Sequence, residues 1–233
     1  MTSALQAIVL DFDGVIADSE PLHLRAFQRT LEADGVQLSP DEYYSRYLGY
    51  DDVGLFEALA RDRRIAISDA QINALVARKA MVLQELLRGG DVLFPGAAEF
   101  IRTAAAEVPL GIASGALRHE ILAILDTAGL AHLFAVIVAA GDTPRGKPSP
   151  APYLLAFERL RERSGRDLDP TRSVAIEDSR WGLESAQGAG LRCVGVTTSY
   201  PADELPGAEL VVGGLRDLTV PVLDRLVAYS HHA

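Results

Sequence analysis

The sequence predicts an α/β protein: a doubly wound parallel sheet with a small helical domain inserted into it. Three observations lead there. Short β-branched apolar runs recur at 7–10, 109–113, 134–138, 173–176, 192–196 and 210–212, each ending in a polar or glycine-containing turn. Stretches of helical spacing fill the gaps at 97–107, 118–128, 151–163 and 180–189, and strands alternating with helices of that length build βαβ units. The runs are continuously apolar rather than alternating, which fits strands buried on both faces.

One stretch breaks this rhythm. From about residue 15 to 90 no strand is evident, and helical patterns occupy 21–33, 40–47, 53–61 and 68–87. Turn signals separate them at Asp34-Gly35, Leu48-Gly49 and Gly89-Gly90. The expected organisation is a core of residues 1–15 and 91–233 with a helical cap of residues 16–90. Flexible crossings are expected near 14–21 and 88–95. Such caps exclude water and complete a site on closing.

Charge narrows the partners. Lys and Arg total 22 against 32 Asp and Glu, a net charge of −10. That balance argues against nucleic acid, whose phosphates recruit basic surfaces, and against an anionic membrane surface. A small anionic substrate stays open, because one focused site can oppose the sign of the whole. The single cysteine, Cys193, has no internal disulfide partner. With no signal-like N-terminus and no apolar run long enough for a bilayer, a cytoplasmic location is expected. Nothing in the sequence fixes the oligomeric state, and a monomer is a sufficient expectation.

The densest chemistry is Asp11-Phe12-Asp13-Gly14-Val15, at the end of the first apolar run. Positions two apart on a strand face one side, so Asp11 and Asp13 project together, and Gly14 lets the backbone turn away. Paired carboxylates repel unless a cation, a proton or donors intervene. An acidic strand end is the bland alternative; an EF-hand is excluded by the missing downstream ligands. A second acidic pair, Glu177-Asp178, follows another strand, and in a parallel sheet both pairs reach the edge where ligands bind. Oxygen-rich clusters of this type suit Mg²⁺, although Asp178-Ser179 can equally cap the next helix.

Ser114-Gly115 ends the strand at 109–113 and starts a helix, where a hydroxyl and backbone N–H groups can hold a phosphate oxygen; a plain N-cap explains it as well. Lys147 offers a fixed positive charge, or is simply a solvated loop lysine. The stretch Gly141-Asp142-Thr143-Pro144-Arg145-Gly146-Lys147 mimics a P-loop, but Pro148 follows where a Ser or Thr is needed, so nucleoside triphosphate binding is rejected.

Taken in order and spacing, Asp11-Phe12-Asp13-Gly14-Val15, Ser114, Lys147-Pro148 and Glu177-Asp178-Ser179 resemble the four motifs of the haloacid dehalogenase-like phosphohydrolases. The helical block resembles the four-helix cap of the β-phosphoglucomutase and phosphoglycolate phosphatase-like branch, over a Rossmann-like core. The resemblance implies a phosphatase of small phosphorylated metabolites such as sugar phosphates. It makes Asp11 the nucleophile that becomes a phosphoaspartate and Asp13 the general acid and base. It places Mg²⁺ on Asp11, the backbone carbonyl of Asp13 and the Glu177/Asp178 pair, and assigns the phosphoryl group to Ser114, Gly115 and Lys147. Dehalogenases of this superfamily lack the second aspartate.

A hexose-phosphate mutase of the same branch is the competing expectation. The mutases carry a cap-loop Lys before a Gly and an Arg after it, to grip a second phosphate. Here the stretch reads Tyr47-Leu48-Gly49-Tyr50-Asp51-Asp52, with Leu48 at the Lys position and acids near the Arg position, which favours hydrolysis. His23 and Lys79 pull the other way, since the resemblance gives both a role in binding substrate from the cap. Taken as residues alone, His23 packs or caps a helix. Lys79 falls within the apolar stripe Ile72, Leu75/Val76, Val82/Leu83, Leu86 and either snorkels to water or reads substrate charge. Of Tyr43, Tyr44, Tyr47 and Tyr50, most are expected in the core, with one or two left to line a sugar-phosphate pocket. Arg118 and His119 lie near the phosphate end or on helix surface. A phosphonate hydrolase using Lys79 as a Schiff base has no other support, and a regulatory module is disfavoured because no motif residue is missing.

Overall fold

A computed structural model describes residues 4–48, 50–87 and 92–228. The chain begins with β1 (Ala7–Leu10) and then enters a helical unit: α1 (Glu20–Glu32), a short α2 (Pro40–Glu42), α3 (Asp52–Arg63) and α4 (Asp69–Leu87). It returns through α5 (Ala97–Ala105), β2 (Leu110–Ala113), α6 (Arg118–Thr127), β3 (Phe134–Val138), α7 (Ala151–Ser164), β4 (Ser173–Glu177), α8 (Arg180–Gly188), β5 (Arg192–Val196), β6 (Leu210–Val212) and α9 (Val220–Ala228). Two compact units result, one from residues up to 18 and from 91 onward, the other from residues 19–90.

In the first unit all neighbouring strands pair in parallel, in the order β3-β2-β1-β4-β5-β6. The α/β class expected from the alternating runs is therefore the architecture found. β1 is fully buried along its length. Ala7 and Val9 pack with Tyr153, Ala156, Phe157 and Leu160 of α7 and with Leu183 and Ala186 of α8. Ile8 and Leu10 alternate to the opposite face, which is equally dry.

The strand order puts β1 and β4 side by side, with later strands running outward in both directions. This reversal is the switch point at which open α/β sheets hold ligands beyond the strand C-termini. The register fixes what meets there: Leu10 pairs with Ile176 and with Ile112. Asp11, Glu177 and the residues after Ala113 therefore reach one edge together.

The crossings expected to be flexible are hydrogen-bonded to each other on the core side. Asp18 N–H donates to the Val92 carbonyl at 2.8 Å, Phe94 N–H donates to the Ile16 carbonyl at 3.0 Å, and Ala17 bridges Leu93. The turn signals at Gly49 and Gly89-Gly90, and residues 230–233, lie outside the described residues.

The helical unit closes around its own core. Leu24, Phe27 and Leu31 of α1 meet Leu55, Phe56 and Leu59 of α3 and Ile72 of α4, with Phe27 edge-on to Phe56 at 5.4 Å. The helix expected over 40–47 is an α-turn capped by Ser39 that widens into a π-helical turn, Tyr43–Tyr47. That widening buries Tyr43 and Tyr47 while Tyr44 and Tyr50 stay exposed. No described helix is long and apolar enough to cross a membrane.

Candidate active site

Asp11 is the first residue past β1, and its N–H donates to the Ile176 carbonyl at 3.0 Å, continuing the sheet by one bond. Its Oδ1 accepts from the Phe12 N–H at 2.7 Å and lies 2.8 Å from Lys147 Nζ. Burial pushes the Asp11 carboxyl well above the usual range; Lys147 opposes this, and Glu177 and Asp178 add to it. Asp13 lies on the turn that follows, bridged to Ala17. Gly14 completes the turn at φ 76°, where a side chain is strained. Space demands glycine there too, since a Cβ would stand 1.8 Å from Asp178 Oδ2.

Glu177, the last residue of β4, has no exposed surface. Its Oε1 accepts from Lys147 Nζ at 2.5 Å and from the Tyr153 hydroxyl at 2.9 Å. Its Oε2 accepts from the Asp178 N–H, the Ser179 N–H and the Ser179 hydroxyl, at 3.1, 3.3 and 3.1 Å. A buried carboxylate is tolerable only when so fully bonded. Gly182 makes the room, because a Cβ there would meet the Glu177 carboxyl carbon at 1.8 Å. Ser179, not Asp178, caps α8, accepting from the Gly182 N–H at 3.2 Å.

Lys147 joins these groups. Its Nζ also lies 5.1 Å over the Tyr153 ring. Burial alone would lower its pKa, but the Asp11 and Glu177 carboxylates outweigh it and hold the value above that of an ordinary lysine. The same burial, followed by the Glu177 charge, pushes the Tyr153 phenol up, so it stays a donor. Asp178 is largely buried and pushed up to about 6, by burial first and by Glu177, while Ser199 and Lys147 pull it down.

Ser114 reaches the same edge, its N–H on the Val138 carbonyl at 2.9 Å. Its hydroxyl accepts from the Ala116 N–H at 3.0 Å, which makes a turn. Helix α6 begins only at Arg118, so Ser114-Gly115 does not start a helix as the sequence led us to expect. A Cβ on Gly115 would meet nothing within 4 Å, which leaves open space beside Ser114. Arg118 pairs with Asp142 and donates to the Ile137 carbonyl at 3.0 Å, which commits it to the β3 loop.

Three acids outnumber one lysine here. Among the described residues, Asp11, Glu177 and Asp178 each present a carboxylate oxygen, all within 4.8 Å of one another. A cluster of hard oxygen donors that one lysine only partly offsets, with the Asp11 and Asp178 carboxyls raised in pKa by burial first and by neighbouring acids, fits a small divalent cation.

In the helical unit, Lys79 does not snorkel: it is 1% exposed. Its Nζ donates to Asp52 Oδ1 at 2.7 Å, lies 3.0 Å from His23 Nδ1 and stands 4.7 Å over the Phe27 ring. Burial and then the Lys79 charge lower the His23 pKa to about 4, so the ring is neutral at pH 7. Nδ1 therefore accepts from Lys79, and the ring proton sits on Nε2.

Sequence reasoning missed Tyr153, Asp52 and the hydroxyls of Thr198 and Ser199. Thr198 donates to the Gly14 carbonyl and Ser199 to Asp178 Oδ2. The available signal was the run Thr197-Thr198-Ser199 just after β5, at the same sheet edge as the acids.

The chain is similar to known proteins over most of its length. Residues 5–190 match the family model described as haloacid dehalogenase-like hydrolase. CbbY of Cereibacter sphaeroides is 35% identical over 238 residues, covering 94% of this chain and 99% of that protein. A phosphorylated carbohydrates phosphatase of Thermotoga maritima is 32% identical, covering 84% and 87%. Among solved structures, a variant of CbbY from Rhodobacter sphaeroides with xylulose-(1,5)bisphosphate superposes with a TM-score of 0.74 at 30% identity, covering 92% and 96%. The chain belongs to the haloacid dehalogenase-like hydrolase family, in its β-phosphoglucomutase and phosphoglycolate phosphatase-like branch.

Proposed function

We propose that the protein is a Mg²⁺-dependent phosphomonoester hydrolase that removes phosphate from a small metabolite, a sugar phosphate by preference, through a phosphoaspartate at Asp11. The observation that carries this reading is the meeting of Asp11, Lys147 and the Glu177-Asp178 pair at the β1/β4 switch point. The named activities of relatives support it: CbbY has been crystallised with a sugar bisphosphate, and the Thermotoga maritima relative is a phosphorylated carbohydrates phosphatase.

In this reading an Asp11 carboxylate oxygen attacks phosphorus, forming a P–O bond as the bond to the leaving oxygen breaks. Asp13 delivers a proton to that oxygen, then takes one from water, which displaces Asp11 and yields inorganic phosphate. Lys147, held at a fixed point by Glu177 and Tyr153, neutralises charge on the transferring group, with Ser114 and Gly115 beside it. Asp11, the Asp13 carbonyl and Asp178 would hold Mg²⁺; Glu177, whose oxygens already accept five donors, backs them as a fixed carboxylate. When bound, the cation supplies charge neutralisation for substrate phosphate.

The mutase alternative needs a grip on a second phosphate. Lys79 already has Asp52 as its counter-ion, and Leu48 is apolar, so hydrolysis is favoured. His23 and Lys79 hold each other within the helical unit. Phosphate release from a panel of phosphorylated sugars, phosphoglycolate and nucleotides, with and without Mg²⁺, tests the proposal. Metal-dependent release from sugar phosphates is expected. Phosphate transfer exceeding net release, stimulated by a sugar bisphosphate, would instead establish a mutase.

A further inference from the structure

The loop after β5 reaches both halves of the acidic site. Thr198 Oγ1 donates to the Gly14 carbonyl, and Ser199 Oγ donates to Asp178 Oδ2. The place where Gly14 lacks a Cβ lies 1.8 Å from Asp178 Oδ2 and 2.9 Å from Ser199 Oγ, so the loops after β1, β4 and β5 converge on one carboxylate oxygen. The sheet fixes the third loop at its root. Glu177 pairs with Gly195, and the Thr197 N–H continues the β5/β6 ladder onto the Val212 carbonyl at 3.0 Å.

We propose that Ser199 is a positioning residue for the Asp178 carboxylate, fixing its rotation by occupying Oδ2 so that the other oxygen is presented to a divalent cation. The inference rests on the Mg²⁺ reading of the acidic cluster and adds a residue outside the four motifs. Two features set Ser199 apart from an incidental surface serine. Its acceptor is a largely buried acid lodged against a glycine that can carry no side chain. Its neighbour Thr198 anchors the same loop independently, so removing the Ser199 hydroxyl leaves the loop seated. A hydroxyl behind a ligating carboxylate acts through orientation, and loss of such partners weakens metal binding by about 10- to 100-fold.

The test is calorimetric titration of the intact protein with Mg²⁺ alone, for the unaltered chain and for Ser199→Ala, Ser199→Thr and Thr197→Ala. Ser199→Ala is expected to weaken Mg²⁺ binding by roughly tenfold, with Ser199→Thr restoring it. Thr197→Ala, whose hydroxyl faces the Val212 carbonyl rather than an acid, should bind as the unaltered chain does. The Mg²⁺ concentration for half-maximal phosphate release should move in parallel with the calorimetric constant. Equal affinity in Ser199→Ala and the unaltered chain would overturn the role of Ser199 while leaving the Mg²⁺ reading intact. Failure of the unaltered chain to bind Mg²⁺ would overturn both.

Discussion

Lys147 Nζ stands 2.5 Å from Glu177 Oε1, and Glu177 has no exposed surface. The lysine thus serves two masters: it offsets the buried charge of Glu177, and it stands 2.8 Å from Asp11. Stability and chemistry are coupled through one ammonium group.

Lys147→Met therefore costs on two counts. It leaves Glu177 buried without its counter-ion, a loss of about 3 kcal/mol in unfolding free energy. In the proposed mechanism it also removes a fixed charge beside the transferring phosphoryl group, and kcat is expected to fall by roughly 10²- to 10³-fold. Chemical denaturation and steady-state phosphate release measure the two separately.

Tyr153 is a gentler probe of the same network. Tyr153→Phe keeps the ring beneath Lys147 but deletes the donor to Glu177. A hydrogen bond to a charged group contributes about 1.5–3 kcal/mol, and a fall of that size in the unfolding free energy from chemical denaturation is expected. Tyr153→Leu, which also removes the ring, should fall further.

The Lys79–Asp52 pair predicts a non-additive cycle. Asp52→Ala strands a lysine that is 1% exposed, leaving a buried charged donor without its partly exposed acceptor, and should destabilise the protein by about 1–3 kcal/mol. Adding Lys79→Met to that variant should restore much of the loss, because the stranded charge goes with it. Thermal melts of the two single variants and the double variant give the coupling.

His23 makes the cap acid-sensitive. Its pKa is lowered to about 4 in the folded protein against 6.5 when exposed, so the unfolded chain binds the extra proton between those values. Stability contributed by the neutral ring is full above pH 6.5 and is lost as pH falls toward 4. His23→Gln, which does not titrate, should show a smaller drop in Tm between pH 7 and pH 5 than the unaltered chain.

The legible part of this molecule is what local pattern encodes. The run ending in Leu10-Asp11 and the run ending in Ile176-Glu177 announced strands with acids at their ends. A parallel sheet then required those acids to share an edge. What stayed hidden depends on pairing across the chain. Nothing near Lys79 announces that Asp52, 27 positions away, will neutralise it, so snorkelling remained open until the helices were packed. No local pattern in α7 marks Tyr153, because only the tertiary fold brings its hydroxyl to Glu177. Helix α9 (Val220–Ala228) went unread beside the strand-like run that precedes it. The π-turn at Tyr43–Tyr47 obeys helical spacing closely enough to pass for an ordinary helix.

The central claim is that Asp11 carries the phosphoryl group. The most direct measurement is borohydride reduction of the protein quenched during turnover of a phosphomonoester substrate, followed by peptide mass spectrometry. Reduction of an aspartyl phosphate converts that side chain to homoserine, and the account predicts this conversion at position 11 alone, with none in Asp11→Asn. Unmodified Asp11 in a turning-over enzyme, together with undiminished phosphate release by Asp11→Asn, would contradict it.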